Sequence, residues 1–179
     1  MVYRLTILRG SLMAATSSPR ERWAAARPDL DTSPMEVIAL LKHVQALRDL
    51  ALEPLYDGAP ATAPEVDVLI HLRHAEQPVI ARRLAERMRC SRAAISKTLA
   101  RLEGRGYVER QPSPTDRRAA LITISPAGAA VVDAIFPRQL AIEAELLAGL
   151  GPDRARVVEA LTLLLDTVSG RVAANAAAP

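Results

Sequence analysis

Apolar positions along the chain recur mainly at helical spacing, and the sharpest stretch runs from Ser91 to Ile124. Ile95, Leu99 and Leu102 fall on one face of a helix that Ser91 can cap, so that face packs inward. The opposite face carries Ala93, Ser96, Lys97, Ala100 and Gly104, flanked by Arg92 and Arg101. Small, polar and cationic groups of this kind suit a helix that enters a major groove. Gly106 supplies a helix stop, Tyr107 to Arg110 reads as a short strand, and Ala119 to Ile124 reads as its partner. The loop between them, PSPTDRR, is too long for a tight hairpin and ends in Arg117 and Arg118, where a wing meets DNA.

The flanking pattern is helical on both sides. Val79 to Cys90 reads as a helix and its turn, with Ile80, Leu84, Ala85 and Met88 at core spacing. With the next helix it makes a helix-turn-helix. An earlier helix runs from Pro64 to about His74, with Val66, Leu69, Ile70 and Leu72 inward, after a loop reading YDGAPATAP. A long helix precedes that loop: Ser33 as N-cap, Pro34 in the first turn and Glu36 three residues on form a capping box. Its stripe of Val37, Leu41, Val44, Ala51 and Leu55 is widened by Ile38, Leu47 and Leu52. One neighbouring helix would not cover so much apolar surface, so a second copy of the chain is the expected cover. A short helix over Arg20 to Ala26 is expected around the single Trp23. After the wing, Ser125 and Pro126 open a helix to about Leu147, with a kink or break expected near Pro137. Gly149 to Pro152 stops it, and a final helix from Pro152 places Val157, Leu161, Leu164, Leu165 and Val168 on one stripe before a frayed tail, VAANAAAP.

These elements define a mainly α fold with a small β wing. Residues 1–32 form an N-terminal extension, 33–57 and 126–171 a helical dimerisation region, 62–125 a winged helix-turn-helix, and 172–179 a tail. Composition narrows the picture. Half of the 179 residues are hydrophobic but only 3% are aromatic, so the core is built from aliphatic side chains, which favours packed helices over a β-sandwich. The net charge of +3 is modest, but Lys42 and Lys97 are the only lysines, leaving arginine as the dominant cation. Arginine suits phosphate and minor-groove contacts. Cys90 is the only cysteine, so no intrachain disulfide can form and no cysteine metal cluster can be assembled. No apolar run approaches the ~18 residues of a membrane span, and Arg4 and Arg9 break the N-terminal segment before it makes a signal core, so a cytoplasmic protein is expected.

The run IARRLAERMRCSRAAISKTLARLEGRGYVERQPSPTDRRAALITISPAG, residues 80–128, resembles the DNA-binding core of the MarR family of bacterial transcription regulators. It departs at Arg89, where the family often has Gly in the turn. The resemblance implies a homodimer joined by its first and last helices, bound to a pseudo-palindromic operator in double-stranded DNA. It also implies that Asp116 pairs with Arg118 and aims it into the minor groove. Ser91, Arg92, Ser96, Lys97 and Arg101 are then assigned to the groove-facing helix, and Arg117 to the wing. Outside the core, Trp23, Asp67 and Arg110 are similar to pocket residues of the family's urate-responsive branch, which has an added N-terminal helix. That branch's fourth residue, an Arg in the recognition helix, falls at Thr98, so a different small anion is an equal expectation. The function implied is a repressor released from its operator by a small, anionic effector.

Competing readings are fewer. Cys90 holds a turn position usually given to a small core residue, which reads as a buried, inert thiol rather than a redox switch. His71 and His74, three apart, would have to be joined by His43 from a partner to sense zinc. No nucleophile motif, phosphate-cradling Gly loop or paired-carboxylate frame supports an enzyme, and no cofactor is expected. A winged helix used for protein contacts is the remaining alternative, against which the cationic wing argues.

Overall fold

The computed structural model describes residues 17–114 and 120–177, with side chains through residue 175. The chain divides into two compact units, residues 1–50 and 51–179. In the first, α1 (Pro19–Ala26) is held by a capping box between Ser18 and Glu21. None of its residues is buried, and Trp23 is 53% exposed. Most of α2 (Pro34–Tyr56) lies in the same unit. The capping box expected at its start gives way to other partners: the Ser33 backbone N–H donates to Asp31 Oδ1 at 2.9 Å, and the Glu36 carboxylate pairs with Arg20 of α1. A guanidinium within reach is a stronger partner for a carboxylate than a neutral N–H. The stripe on α2, including Val37, Ile38, Leu41, Val44 and Leu47, is exposed in the single chain.

The second unit holds the core. The end of α2 buries Leu52 and Leu55, and α3 (Ala63–Arg73) buries Val66, Val68, Leu69 and Leu72. Thr62 and Glu65 form a capping box at the start of α3. A strand, β1 (Val79–Ile80), leads into α4 (Ala81–Met88) and α5 (Arg92–Gly104). The wing strands β2 (Val108–Pro112) and β3 (Ala120–Ile124) complete a three-stranded antiparallel sheet of order β1-β3-β2. Val108 faces Ile124, and Pro112 faces Ala120 at the edge of the ladder. Val79 and Ile80 therefore do not start a helix as their spacing suggests. They pair with Ile122 and Leu121, because two β-branched residues can close the otherwise free edge of β3.

The remaining helices are α6 (Pro126–Leu147) and α7 (Arg154–Ala177), joined by a 3-10 turn over Ala148–Asp153. No break occurs at Pro137, and α6 runs through it as one helix. The backbone bond it removes would have ended on Asp133, an exposed residue. The last helix also continues through Ala177, past the start of the expected frayed tail. Val131, Val132 and Ile135 of α6 close the core over α3, and Arg73 locks the two helices through a two-pronged pair with Asp133 at 2.9 and 2.8 Å.

One backbone approach fixes how α6 leaves the wing. Ser125 caps the helix by accepting from the Gly128 N–H at 3.1 Å, while its hydroxyl donates to the Gly106 carbonyl at 2.6 Å. A Cβ on Gly128 would lie 2.1 Å from the Tyr107 carbonyl oxygen. That obstacle is backbone and cannot swing aside. Gly128→Ala should therefore destabilise the fold by about 3 kcal/mol, on the scale of severe overpacking, measured as a lowered midpoint in urea denaturation. A midpoint equal to that of the unaltered chain would contradict this account of the junction.

Candidate nucleic-acid interface

The turn between α4 and α5 sets the exposed helix. Leu84 and Ala85 are buried on one side of it, and Ile95, Leu99 and Leu102 on the other. Arg89 ends α4 in the left-handed region at φ 53°, with its N–H reaching back to Ala85 and Glu86 carbonyls. Gly usually fills such a position, and a side chain there costs roughly 1–2 kcal/mol. The turn geometry is thus kept with an Arg at this position. Ser91 follows as N-cap, accepting from the Ala94 N–H at 3.1 Å.

With three aliphatic residues inward, α5 turns Ser91, Arg92, Ser96, Lys97 and Arg101 outward, all exposed. Among the described residues, Arg92, Lys97 and Arg101 have no carboxylate partner. Thr98, half-buried, spends its hydroxyl on the Ala94 carbonyl at 3.1 Å. Ser96 and Lys97 thus lie opposite the buried face, with Arg92 and Arg101 on its two flanks, and Arg92 also lines a cavity with Cys90 and Leu165, Val168 and Val172 of α7. Asp116, Arg117 and Arg118 lie outside the described residues.

The base of this face is fixed by a buried carboxylate that pattern reading passed over. Glu65 is 2% exposed. It accepts from the Thr62 N–H at 2.8 Å and pairs with Arg105, just past the end of α5. Arg105 also donates to the Pro60 carbonyl at 2.9 Å and lies 5.6 Å from the centre of the Tyr107 ring. Burial by itself pushes the Glu65 carboxyl up, but the Thr62 backbone and the Arg105 guanidinium outweigh it, leaving the group below its ordinary value. The only hint in the sequence was the spacing of Thr62 and Glu65, which marks a capping box.

The three residues set aside for a ligand are placed as follows. Trp23 stands on α1 in the first unit, and Asp67 is half-buried on α3 in the second. Arg110, on β2, has its Nε 2.8 Å from Glu103 Oε2, so it ties the wing strand to the end of α5. Cys90 departs from expectation: it is exposed, not buried. Leu84 and Ala85 already fill the core beneath the turn, and Cys90 lines a cavity of about 550 Å³ with Leu165, Val168 and Val172 of α7. His71 has Nδ1 2.8 Å from the Asp67 carbonyl oxygen, and among the described residues no cluster of His, Cys, Asp or Glu is placed to hold a metal. Nor is any described helix long and apolar enough to cross a membrane. Sequence reasoning also missed Arg83 and Arg87, both exposed on α4.

Comparison with known proteins agrees with this arrangement. Residues 61–119 match the model of the MarR family. The HTH-type transcriptional regulator PecS of Dickeya dadantii (strain 3937) is 28% identical over 143 residues, which cover 79% of this chain and 86% of that protein. A mutant MarR from E. coli complexed with operator DNA has the same fold, with a TM-score of 0.65 at 24% identity, over 80% of this chain and 96% of that one. So does the PcaV transcriptional regulator from Streptomyces coelicolor in complex with its natural ligand, with a TM-score of 0.65 at 24% identity, over 88% of this chain and 99% of that one.

Because the Glu65 carboxyl titrates below its ordinary value in the folded state, its stabilisation is complete above the ordinary glutamate range, roughly 4.3. It is lost as pH falls through the lower folded value. Glu65→Gln should cost about 1–3 kcal/mol at pH 7 and flatten the acid limb of stability against pH. Chemical denaturation from pH 7 to 3 measures both, and an unchanged acid limb would remove Glu65 from the account.

Proposed function

We propose that this chain is a MarR-family winged helix-turn-helix transcription regulator that acts as a homodimeric repressor, released from its operator by a small anionic ligand. The observation that carries the DNA-reading part is the open face of α5, with Arg92, Lys97 and Arg101 unpaired among the described residues and Ser91 and Ser96 beside them. Arg or Lys bonds guanine in the major groove, and Ser more often bonds phosphate. The wing residues Asp116 and Arg118 add minor-groove contact, with the carboxylate aiming the guanidinium.

Homodimerisation is supported by the apolar faces left open on α2 and on α7, where Leu161, Leu165, Val168 and Val172 are exposed. A second copy burying these faces would set two α5 helices against half-sites about one helical turn apart, ~34 Å. The effector arm rests on Trp23, Asp67 and Arg110, and the fold-mate PcaV has been solved in complex with its natural ligand. A ligand that binds better to a dimer with altered α5 spacing shifts the population away from the DNA-competent form.

Replacing Arg118 by Ala should weaken binding to a duplex selected from a random pool by the unaltered protein, by roughly tenfold, about 1.4 kcal/mol. The sedimentation coefficient should stay that of the dimer. Undiminished affinity in a gel-shift titration would sink the wing assignment. For the effector, a thermal-shift screen of urate, other purines, di- and tricarboxylates and phenolic acids should give at least one stabilising anion. Asp67→Ala should blunt that shift without changing DNA affinity, and a full shift in the variant would show the pocket to be misplaced.

A further inference from the structure

The arginines of the second unit fall into two groups. Arg73, Arg105 and Arg110 are matched to Asp133, Glu65 and Glu103, and Arg82 lies 3.8 Å from Glu86 on its own helix. Arg83 and Arg87, also on α4, have no such partner among the described residues. They stand one turn apart and line a single polar cavity of about 670 Å³ with Gln77, Ser113 and Leu121. His74 and Glu76 are the other titratable groups of that lining, and Glu76 forms no ion pair with either arginine.

The placement of this cavity is set by the sheet. Ile80, where β1 passes into α4, pairs with Leu121, next to the point at which the wing returns as β3. Ser113 marks the point at which the wing departs. Arg83 and Arg87 therefore lie beside the root of the wing, on the first helix of the helix-turn-helix. In docked helix-turn-helix proteins that first helix crosses the DNA backbone while the second reads the groove. Side chains four apart on a helix have Cβ atoms about 5–6 Å apart, and guanidinium is weakly hydrated and shaped for phosphate oxygens.

We infer that Arg83 and Arg87 hold phosphates of the duplex backbone between the groove read by α5 and the wing, extending the DNA footprint onto α4. The inference rests on the reading of the chain as a duplex-DNA regulator. These contacts position the protein without reading sequence, so their loss weakens every duplex alike.

The test is the full-length Arg83→Gln/Arg87→Gln variant, titrated at several KCl concentrations against two probes. One is a duplex selected from a random pool by the unaltered protein, and the other is sonicated genomic DNA. Both affinities should fall by the same factor. The slope of log affinity against log salt should become shallower by ~0.9 per lost phosphate contact, or roughly 2 for each bound protomer. Arg83→Lys/Arg87→Lys should keep most of the slope, and circular dichroism should match for all forms. An unchanged slope in a protein that still binds the selected duplex overturns this inference and leaves the DNA-reading function standing. Loss of discrimination between the two probes also overturns it, because backbone contacts do not carry sequence. Failure of the unaltered protein to bind any duplex would remove the function itself.

Discussion

The constraint on which the second unit depends is the burial of one carboxylate. Glu65 sits in the first turn of α3, where it caps that helix and takes the guanidinium of Arg105 beyond the end of α5. A buried carboxylate without such partners would be strongly unfavourable. Here its two partners come from different parts of the unit, the Thr62 N–H from the loop before α3 and Arg105 from the end of α5, and Arg105 is itself held by the Pro60 carbonyl and the ring of Tyr107. Satisfying one charge thus fixes the start of α3 against the end of α5. With the inner face of α5 held by Ile95, Leu99 and Leu102, its outer face has a single orientation.

Charge is distributed accordingly. Where helices must be held together, cations are matched, as with Arg73 and Asp133 between α3 and α6. Along the helix-turn-helix, Arg83, Arg87, Arg92, Lys97 and Arg101 are not matched among the described residues. A polyanion bound there would supply what the protein withholds, because neutralising its phosphates releases counterions, which drives association. Arg110 belongs to the matched set by virtue of Glu103. Its pair is partly exposed, and pairs of that kind contribute only about 0–1 kcal/mol. The pair joins β2 to α5.

The apolar surface follows a different logic. The core of the second unit closes on itself with aliphatic residues from α3 to α6, while the stripes on α2 and α7 stay open. Exposed apolar faces of this extent mark interaction surfaces. Gly128, pressed against the Tyr107 carbonyl, shows how tightly the sheet is coupled to α6, the helix that leads away from it.

Local sequence determined most of the elements, because their signals are local. Ser91 with Ile95, Leu99 and Leu102, Ser125 with Pro126, and the exposed stripe of α2 were all legible from spacing and capping chemistry. So was the outward set on α5, since a helix that buries one face must show the other. Tertiary structure decided what depends on distant partners. Val79 and Ile80 became strand because β3 offered an open edge, and Glu36 left its cap for Arg20. Cys90 was left outside a core already filled by Leu84 and Ala85. Glu65 and Arg105 gain their roles from each other, 40 positions apart, and no periodicity records which charges find a partner when the chain closes and which, like Arg83 and Arg87 among the described residues, do not.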